Sequence, residues 1–172
     1  MISHPIKIAF HGKMGTGKDT AVDYLINRYK GEKITFAQPL YDILHYAQSV
    51  CGFKKQKDRK FLQFIGTEWG REIDSEIWVK ICVERSKKLE GNIYNNDCRF
   101  ENELKALKDI GFTCVKIKRQ NCHHKRVGNG KTEHLSEKGL DDNLFDFVIE
   151  NDGTVEELYK KLEQIYSLLI NA

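Results

Sequence analysis

No stretch of this chain approaches the eighteen consecutive apolar residues that mark a membrane-spanning helix. Its opening residues, Met1-Ile2-Ser3-His4-Pro5, do not resemble a secretory leader. Internal repeats and low-complexity tracts are lacking, which excludes a repeat architecture. Neither sign of charge dominates: 28 Lys and Arg against 25 Asp and Glu leave a formal net charge of +3. That excess is too small to point to nucleic-acid binding, but it suits the handling of phosphorylated molecules where the positive charge is clustered. A disulfide framework is missing too. The five cysteines, at 51, 82, 98, 114 and 122, are odd in number and scattered, which fits a reducing cytosol. What remains is a 172-residue chain, 40% hydrophobic and 31% charged, of the length of one domain with a sizeable core.

The most informative stretch runs from Ile6 to Thr20. An apolar run, Ile6-Lys7-Ile8-Ala9-Phe10, leads through His11 into Gly12-Lys13-Met14-Gly15-Thr16-Gly17-Lys18-Asp19-Thr20. Ala21, Val22, Leu25, Ile26 and Tyr29 follow at the spacing of one helical face. Strand, glycine-rich loop and helix in that order are the context of a phosphate-binding loop. Gly12, Gly15 and Gly17 let the backbone curl so that successive N–H groups converge on an anion. Lys18 stands where an ammonium reaches the outer phosphates, at the positive end of the helix. Asp19 replaces the Ser or Thr usual at the position after the lysine, where a hydroxyl ordinarily meets Mg²⁺.

Further on, Lys33–Ala37 reads as a short strand, and Gln38-Pro39 opens a helix with Leu40, Ile43, Leu44, Ala47 and Val50 on its apolar stripe. Residues 54–60 hold five positive charges in seven positions, either a solvated loop or an electropositive rim. The segment Arg59–Arg71 mixes rings, an amide, a hydroxyl and guanidinium groups around Gly66 and Gly70. Those groups suit a base-and-phosphate pocket, and equally a core of Phe61, Phe64 and Trp69 with solvated arginines.

Asp74-Ser75 is placed to cap a helix reaching Gly91, with Trp78, Ile81, Cys82 and Leu89 inward. Asn92–Asp97 is poor in strand-forming residues, yet an α/β alternation wants a strand there. A helix through Leu104, Leu107 and Ile110 follows, then a strand over Phe112–Arg119. The apolar pattern lapses from Asn121 to Asp142, the signature of a functional loop or of disorder. Phe145–Ile149 is the last strand. Thr154 and Glu157 then form a capping box, opening a helix with Val155, Leu158, Leu162, Ile165 and Leu169 as its seam.

Five strands alternating with helices predict an α/β fold: a parallel sheet covered on both faces, with ligands beyond the carboxyl ends of the strands. That rule brings the 12–19 loop, Gln38, Asp97, Arg99, Arg119 and Asn151 to one edge.

Several motifs together resemble the phage-type deoxynucleoside monophosphate kinases of the P-loop nucleoside monophosphate kinase group. They are Gly12–Thr20, Phe36-Ala37-Gln38-Pro39-Leu40, Arg59-x-x-Leu62-Gln63-x-x-Gly66-Thr67-Glu68-Trp69-Gly70-Arg71, and Ile77-Trp78-Val79. Asp97-x-Arg99-Phe100-x-Asn102-Glu103, His134-x-Ser136-Glu137 and Asn151–Leu158 complete the set, in order along nearly the whole chain. Relatives share Gly-Lys-Asp-Thr, which accommodates Asp19, and the block at 59–71 is the most specific piece. The resemblance implies a P-loop three-layer fold with a five-stranded parallel sheet, a single domain over 1–172. An acceptor-binding insertion falls at about 38–75 and a lid at about 120–142.

The implied activity is transfer of the γ-phosphoryl of ATP to a deoxynucleoside monophosphate, with Mg²⁺, in the cytoplasm (of a host cell if phage-encoded). No membrane and no stable nucleic-acid partner are expected, and pairing into a homodimer through exposed helices is compatible with the family. The attacking phosphate oxygen is already ionised, so the chemistry calls for cations and backbone amides rather than a strong base. Gly12, Lys13, Gly15, Thr16, Gly17, Lys18, Asp19 and Thr20 would hold ATP, with Asp19 or Thr20 toward Mg²⁺, directly or through water. Asp19 equally suits the helix N-terminus as a complementary charge. Asn151 and Gly153 would line the adenine edge.

On the acceptor side stand Gln38, Arg59, Gln63, Thr67, Trp69, Arg71, Asp97 and Arg99. Lys18, Arg99, Arg119 and Arg126 are the catalytic cations, and Asp97 serves either metal-bound water, an arginine or a structural hydrogen bond. Cys122, His123, His124 and His134 match no standard zinc spacing, and His11 reads as packed or loop-supporting. Two rivals remain: a dephospho-coenzyme A kinase-like enzyme, opposed by the 59–71 block, and a non-catalytic nucleotide-binding module, opposed by the arginines at the ligand edge.

Overall fold

The computed structural model describes residues 4–120 and 139–172. β1 (Lys7–His11) is the middle strand of a five-stranded sheet ordered β2-β3-β1-β4-β5. The others are β2 (Glu32–Ile34), β3 (Ile93–Asn95), β4 (Thr113–Lys118) and β5 (Phe147–Glu150). β1 runs parallel to β3, with Ala9 beside Asn95, and to β4, with His11 beside Lys116; β4 runs parallel to β5. Parallel strands need crossovers: α1 (Lys18–Tyr29) lies between β1 and β2 in the chain and α6 (Glu101–Asp109) between β3 and β4, while α7 (Val155–Ile170) follows the last strand; they are numbered with the helices below.

The chain divides into two compact units, residues 1–33 with 89–172, and residues 34–88. In the first, side-chain alternation serves two faces. Ile8 and Phe10 of β1, Val115 and Ile117 of β4 and Ile149 of β5 pack with Ala21, Val22 and Leu25 of α1 and Leu158, Leu162, Ile165 and Tyr166 of α7. Two stacked tyrosine pairs lace α1 to α7: Tyr24 with Tyr159, ring centroids 3.9 Å apart, and Tyr29 with Tyr166 at 3.6 Å. On the alternate positions Ala9 and Cys114 are also buried, as are Leu104 and Leu107 of α6, which packs on β4. Thr154 and Glu157 form the expected capping box at the start of α7. Val155, the first residue of α7, is 48% exposed, however, and Tyr166 joins the buried face.

The second unit holds α2 (Gln38–Val50), α3 (Arg59–Gln63), a π-helical turn (Phe64–Trp69), α4 (Gly70–Ile73) and α5 (Ile77–Ser86). Four expectations are corrected. The strand expected over 33–37 stops at Ile34, because Thr35 Oγ1 accepts the Gln38 N–H at 3.0 Å and turns the chain toward α2. Val50 leaves the inward stripe of α2, at 70% exposure, while Gln48 is buried with its amide exchanging two bonds with the Gln56 backbone. Asp74 does not cap α5 directly: its carboxylate accepts from Glu76 N at 3.0 Å and pairs with Lys80 at 2.6 Å, and the helix starts at Ile77. That helix ends at Ser86, before Gly91. The insertion expected at about 38–75 lies within this second unit. Among the described residues, no helix is long and apolar enough to cross a membrane.

Candidate functional site

The loop after β1 wraps its own lysine. Lys18 Nζ donates to the carbonyls of Gly12 at 2.6 Å and Lys13 at 2.8 Å, so the ammonium lies across the loop. Thr16, 2% exposed, closes the turn with its hydroxyl on the Lys13 carbonyl at 2.9 Å. Gly17 adopts φ 103°, and a Cβ there would meet Asn151 Nδ2 at 2.8 Å, so glycine is required twice over. Asn151 is buried after β5, and its Nδ2 donates to the Thr16 carbonyl at 2.9 Å. Its side chain thus braces the loop, beside the adenine-edge role expected of its backbone. Gly153 sits exposed in the turn before α7. Among the described residues no side chain caps the N-terminus of α1, which follows directly on the loop at Gly17.

Asp19, in the first turn of α1, has its side chain 78% exposed. Its carboxylate accepts from Lys33 Nζ at 3.3 Å and from Asn96 Nδ2. Asn96 is 9% exposed, and its Oδ1 is buried without a hydrogen-bond partner among the described residues. Thr20 is half-buried one position on.

The chain leaving β3 carries Asp97 and Arg99 on a turn held by buried side chains on either side of it. Asn95, fully buried, accepts from Asp97 N at 3.1 Å and Cys98 N at 3.0 Å, and its Nδ2 donates to Asp97 Oδ1 at 3.1 Å. From α6, Glu103 Oε2 accepts from Arg99 N at 2.8 Å and Phe100 N at 3.1 Å. The backbone is pinned from both sides while the Arg99 side chain is exposed. After β4, Arg119 is exposed, and Gln120 N donates to Asp152 at 2.7 Å. Lys116 pairs with Asp142 at 2.7 Å, and Lys118 pairs with the same carboxylate. Both ammonium groups hold Asp142 below the ordinary carboxylate range, Lys116 foremost. The parallel pairing thus brings the 12–19 loop, Asp97, Arg99, Arg119 and Asn151 to the carboxyl edge of one sheet.

The remaining acceptor candidates lie in the second unit. Arg59, Gln63 and Thr67 are exposed, and Asp58 caps α3 by accepting from Phe61 N at 3.0 Å. Neither Phe64, 48% exposed, nor Trp69, 47% exposed, belongs to a core. Trp78 is buried; its Nε1 donates to the Gly66 carbonyl at 2.8 Å and its ring sits where a Cβ on Gly70 would be 2.5 Å away. Gly70 leaves room for that indole, while a Cβ on Gly66 would meet Leu40 at 3.1 Å. π turns recur at functional sites, and this one turns Phe64, Thr67 and Trp69 outward. Arg71 Nη1 donates to the Ser75 carbonyl at 3.3 Å. Gln38 donates to Asp42 at 2.8 Å, and Asp42 pairs with Arg85 at 2.7 Å, chiefly the reason its carboxyl titrates low.

Arg126, Cys122, His123, His124 and His134, and most of the lid expected over 120–142, lie outside the described residues. Among the described residues, no group of three or more His, Cys, Asp and Glu side chains gathers as a metal site. Sequence reasoning passed over Asn95, Asn96, Glu103, Asp42 and the bracing role of Asn151. The one signal for the first pair was the unsuitability of Asn92–Asp97 as a strand: Asn95 serves the turn beyond it and Asn96 meets Asp19.

A β1–loop–α1 phosphate cradle on this sheet order defines a P-loop α/β protein. Solved structures of that fold agree: a gluconokinase from Sinorhizobium meliloti 1021 superposes with a TM-score of 0.57 at 15% identity, covering 97% of this chain and 94% of that one. A shikimate kinase from Aquifex aeolicus vf5 gives 0.55 at 18% identity, covering 94% and 96%.

The family model described as deoxynucleotide monophosphate kinase matches residues 54–162, and the chain belongs to that family. An uncharacterised protein, ORF77, of Ictalurid herpesvirus 1 (strain Auburn) is 34% identical over 86% of this chain and 64% of its own length. A protein of Acanthamoeba polyphaga mimivirus, provisionally named a deoxynucleotide monophosphate kinase, is 27% identical over 97% of each chain. The deoxynucleotide monophosphate kinase of Escherichia phage RB69 is 31% identical over 62% of this chain and 43% of its own. The chain therefore spans less than two thirds of the herpesvirus and phage relatives and nearly all of the mimivirus one.

Proposed function

We propose that the protein transfers the γ-phosphoryl group of ATP to the 5′-phosphate of a deoxynucleoside monophosphate, giving ADP and a deoxynucleoside diphosphate. The bond from the γ phosphorus to its bridging oxygen breaks, and one from an acceptor phosphate oxygen to that phosphorus forms. The observation that carries the reading is Lys18 held across a glycine loop in a chain whose family match includes the exposed Arg59–Gln63–Thr67 surface. Phosphate oxygens would take the place of the Gly12 and Lys13 carbonyls as partners of the Lys18 ammonium, with the N-terminal end of α1 behind them.

Arg99 sits on a backbone already pinned by Asn95 and Glu103, so its guanidinium meets a phosphate with little further ordering of the chain. Arg59 and Arg71 would fork onto the acceptor phosphate, with Gln38, Gln63, Thr67 and Trp69 toward its base and sugar. Arg119 and Arg126 would offset charge on the moving group. Asp19 and Thr20 offer the hard oxygen donors that Mg²⁺ takes, and the Oδ1 of Asn96, in the side chain touching Asp19 and without a hydrogen-bond partner among the described residues, adds another oxygen close by. When bound, Mg²⁺ would draw charge from the phosphates of ATP. Asp19 would then exchange its contact with Lys33 for the metal.

The test is ADP release from ATP and Mg²⁺ with dAMP, dGMP, dCMP, dTMP and a modified pyrimidine monophosphate in turn. Turnover with at least one of them, abolished by Lys18→Ala, is expected. Activity confined to dephospho-coenzyme A, or none with any acceptor alongside steeply salt-dependent DNA binding, would replace this reading with one of its rivals.

A further inference from the structure

His11, the last residue of β1, leads into the glycine loop, and the proposed reaction makes no use of its ring. It is 5% exposed. The ring touches the backbone of two segments far away in sequence: Nδ1 lies 3.0 Å from the Cys98 carbonyl, and the Leu140 N–H donates to Nε2 at 3.4 Å. A carbonyl only accepts and an amide N–H only donates, so both bonds exist together in one state alone, the neutral imidazole with its proton on Nδ1.

The surroundings favour that state. Phe145 stacks on the ring, centroids 5.1 Å apart and planes 27° from parallel. The charges acting on it are Lys116 of β4 and Lys18 of α1, both cations. Burial first, and then these two ammonium groups, hold the imidazole below its usual 6.5, against the opposing pull of the Cys98 bond. Leu140 is held on its other side as well, since its carbonyl accepts from Lys116 Nζ, while Asp142 pairs with Lys116 and Lys118. Cys98 is the middle residue of the Asp97–Arg99 turn.

We infer that His11 is a positioning residue: its neutral imidazole ties the first residue before the glycine loop to the Asp97–Arg99 turn and to the backbone at Leu140, and its protonation releases Leu140. A proton on Nε2 turns that atom from acceptor to donor and sets it against the Leu140 N–H, while the bond to Cys98 survives. The inference rests on reading the loop and the turn as the phosphate site. Acid would therefore loosen one tie and leave the other.

Imidazole ¹⁵N spectroscopy on the full chain tests it, with the His11 signal assigned by its loss in His11→Asn. The expected result is the Nδ1–H tautomer at neutral pH, titrating below 6.5. The Nε2–H tautomer, or a midpoint at or above 6.5, overturns the inference.

Amide exchange at Leu140 is the second measurement. His11→Asn keeps a donor near Nδ1 and lacks the distal acceptor, so Leu140 protection should fall by about threefold or more. His11→Gln, whose amide oxygen reaches the Nε2 position and does not titrate, should restore it and leave it independent of mild acid. Protection unchanged in the first variant, or unrestored in the second, counts against the role. In turnover, the ratio of acidic to neutral activity should rise in His11→Gln, and an unchanged ratio refutes the functional side of the tie. The first two readouts use no substrate. Failure to phosphorylate any acceptor would thus sink the proposed reaction without touching the tautomer or the tie to Leu140.

Discussion

Glu103 is a carboxylate at 2% exposure, and one of its oxygens takes two backbone N–H bonds, from Arg99 and Phe100. Its work is done through the backbone that carries Arg99. Glu103→Ala leaves those amides without this acceptor, at a cost of about 1–3 kcal/mol for each group left buried. Urea unfolding should show the loss, and KM for the acceptor should rise more than KM for ATP if Arg99 meets the acceptor phosphate. Glu103→Gln keeps an acceptor oxygen and should recover most of the stability. Asn151 makes a parallel case on the ATP side. Its amide donates to the Thr16 carbonyl, so Asn151→Ala should raise KM for ATP and cost about 1–3 kcal/mol. An unchanged KM for ATP would show that the loop keeps its shape without the brace.

At the scale of elements, the Arg59–Arg71 block consists of two short helices joined by a π turn, with Gly70 against the Trp78 ring and Gly66 against Leu40. A Cβ on Gly70 would stand 2.5 Å from the Trp78 ring and 2.8 Å from the Ile65 carbonyl. Gly70→Ala should therefore destabilise by about 1–3 kcal/mol through overpacking. Trp78 fluorescence, followed through denaturant unfolding, reports it, and a midpoint equal to the natural protein's would contradict the close approach. α7 offers a contrast along one helix. Leu162→Ala opens the packed face shared with α1 and β1, for about 2–5 kcal/mol. Val155→Thr, at the exposed first turn, should fall within about 0.5 kcal/mol of the natural protein.

For the whole molecule, the charged groups give two separate acid windows. His11 titrates below 6.5 when folded, so the unfolded chain takes up that proton first as pH falls. Its contribution to stability is complete above 6.5 and is lost from there down toward the folded value. Asp142, depressed below 3.8 by Lys116 and then Lys118, contributes above 3.8 and loses its share as pH falls through its folded value. Unfolding free energy against pH should thus decline in a first step just below 6.5 that His11→Gln removes. A second step below 3.8 should shrink in Asp142→Asn. A single acid transition unaffected by His11→Gln would contradict the burial and contacts that shift the imidazole.

The glycine loop, the alternation of strands and helices, and most of the faces that α1 and α7 bury were legible in the residue order, because each depends on neighbours within one or two turns of chain. Gly12–Lys18 between an apolar run and a helical stripe carries its meaning locally, as does Thr154 with Glu157. The tertiary structure alone decided what depends on partners far along the chain. It set Asn151 against Thr16, Trp78 against Gly66 and Gly70, and His11 between Cys98 and Leu140. A buried amide, carboxylate or imidazole has a role only once the groups that satisfy it are fixed in space, and sequence spacing carries no record of a partner 87 or 135 residues away.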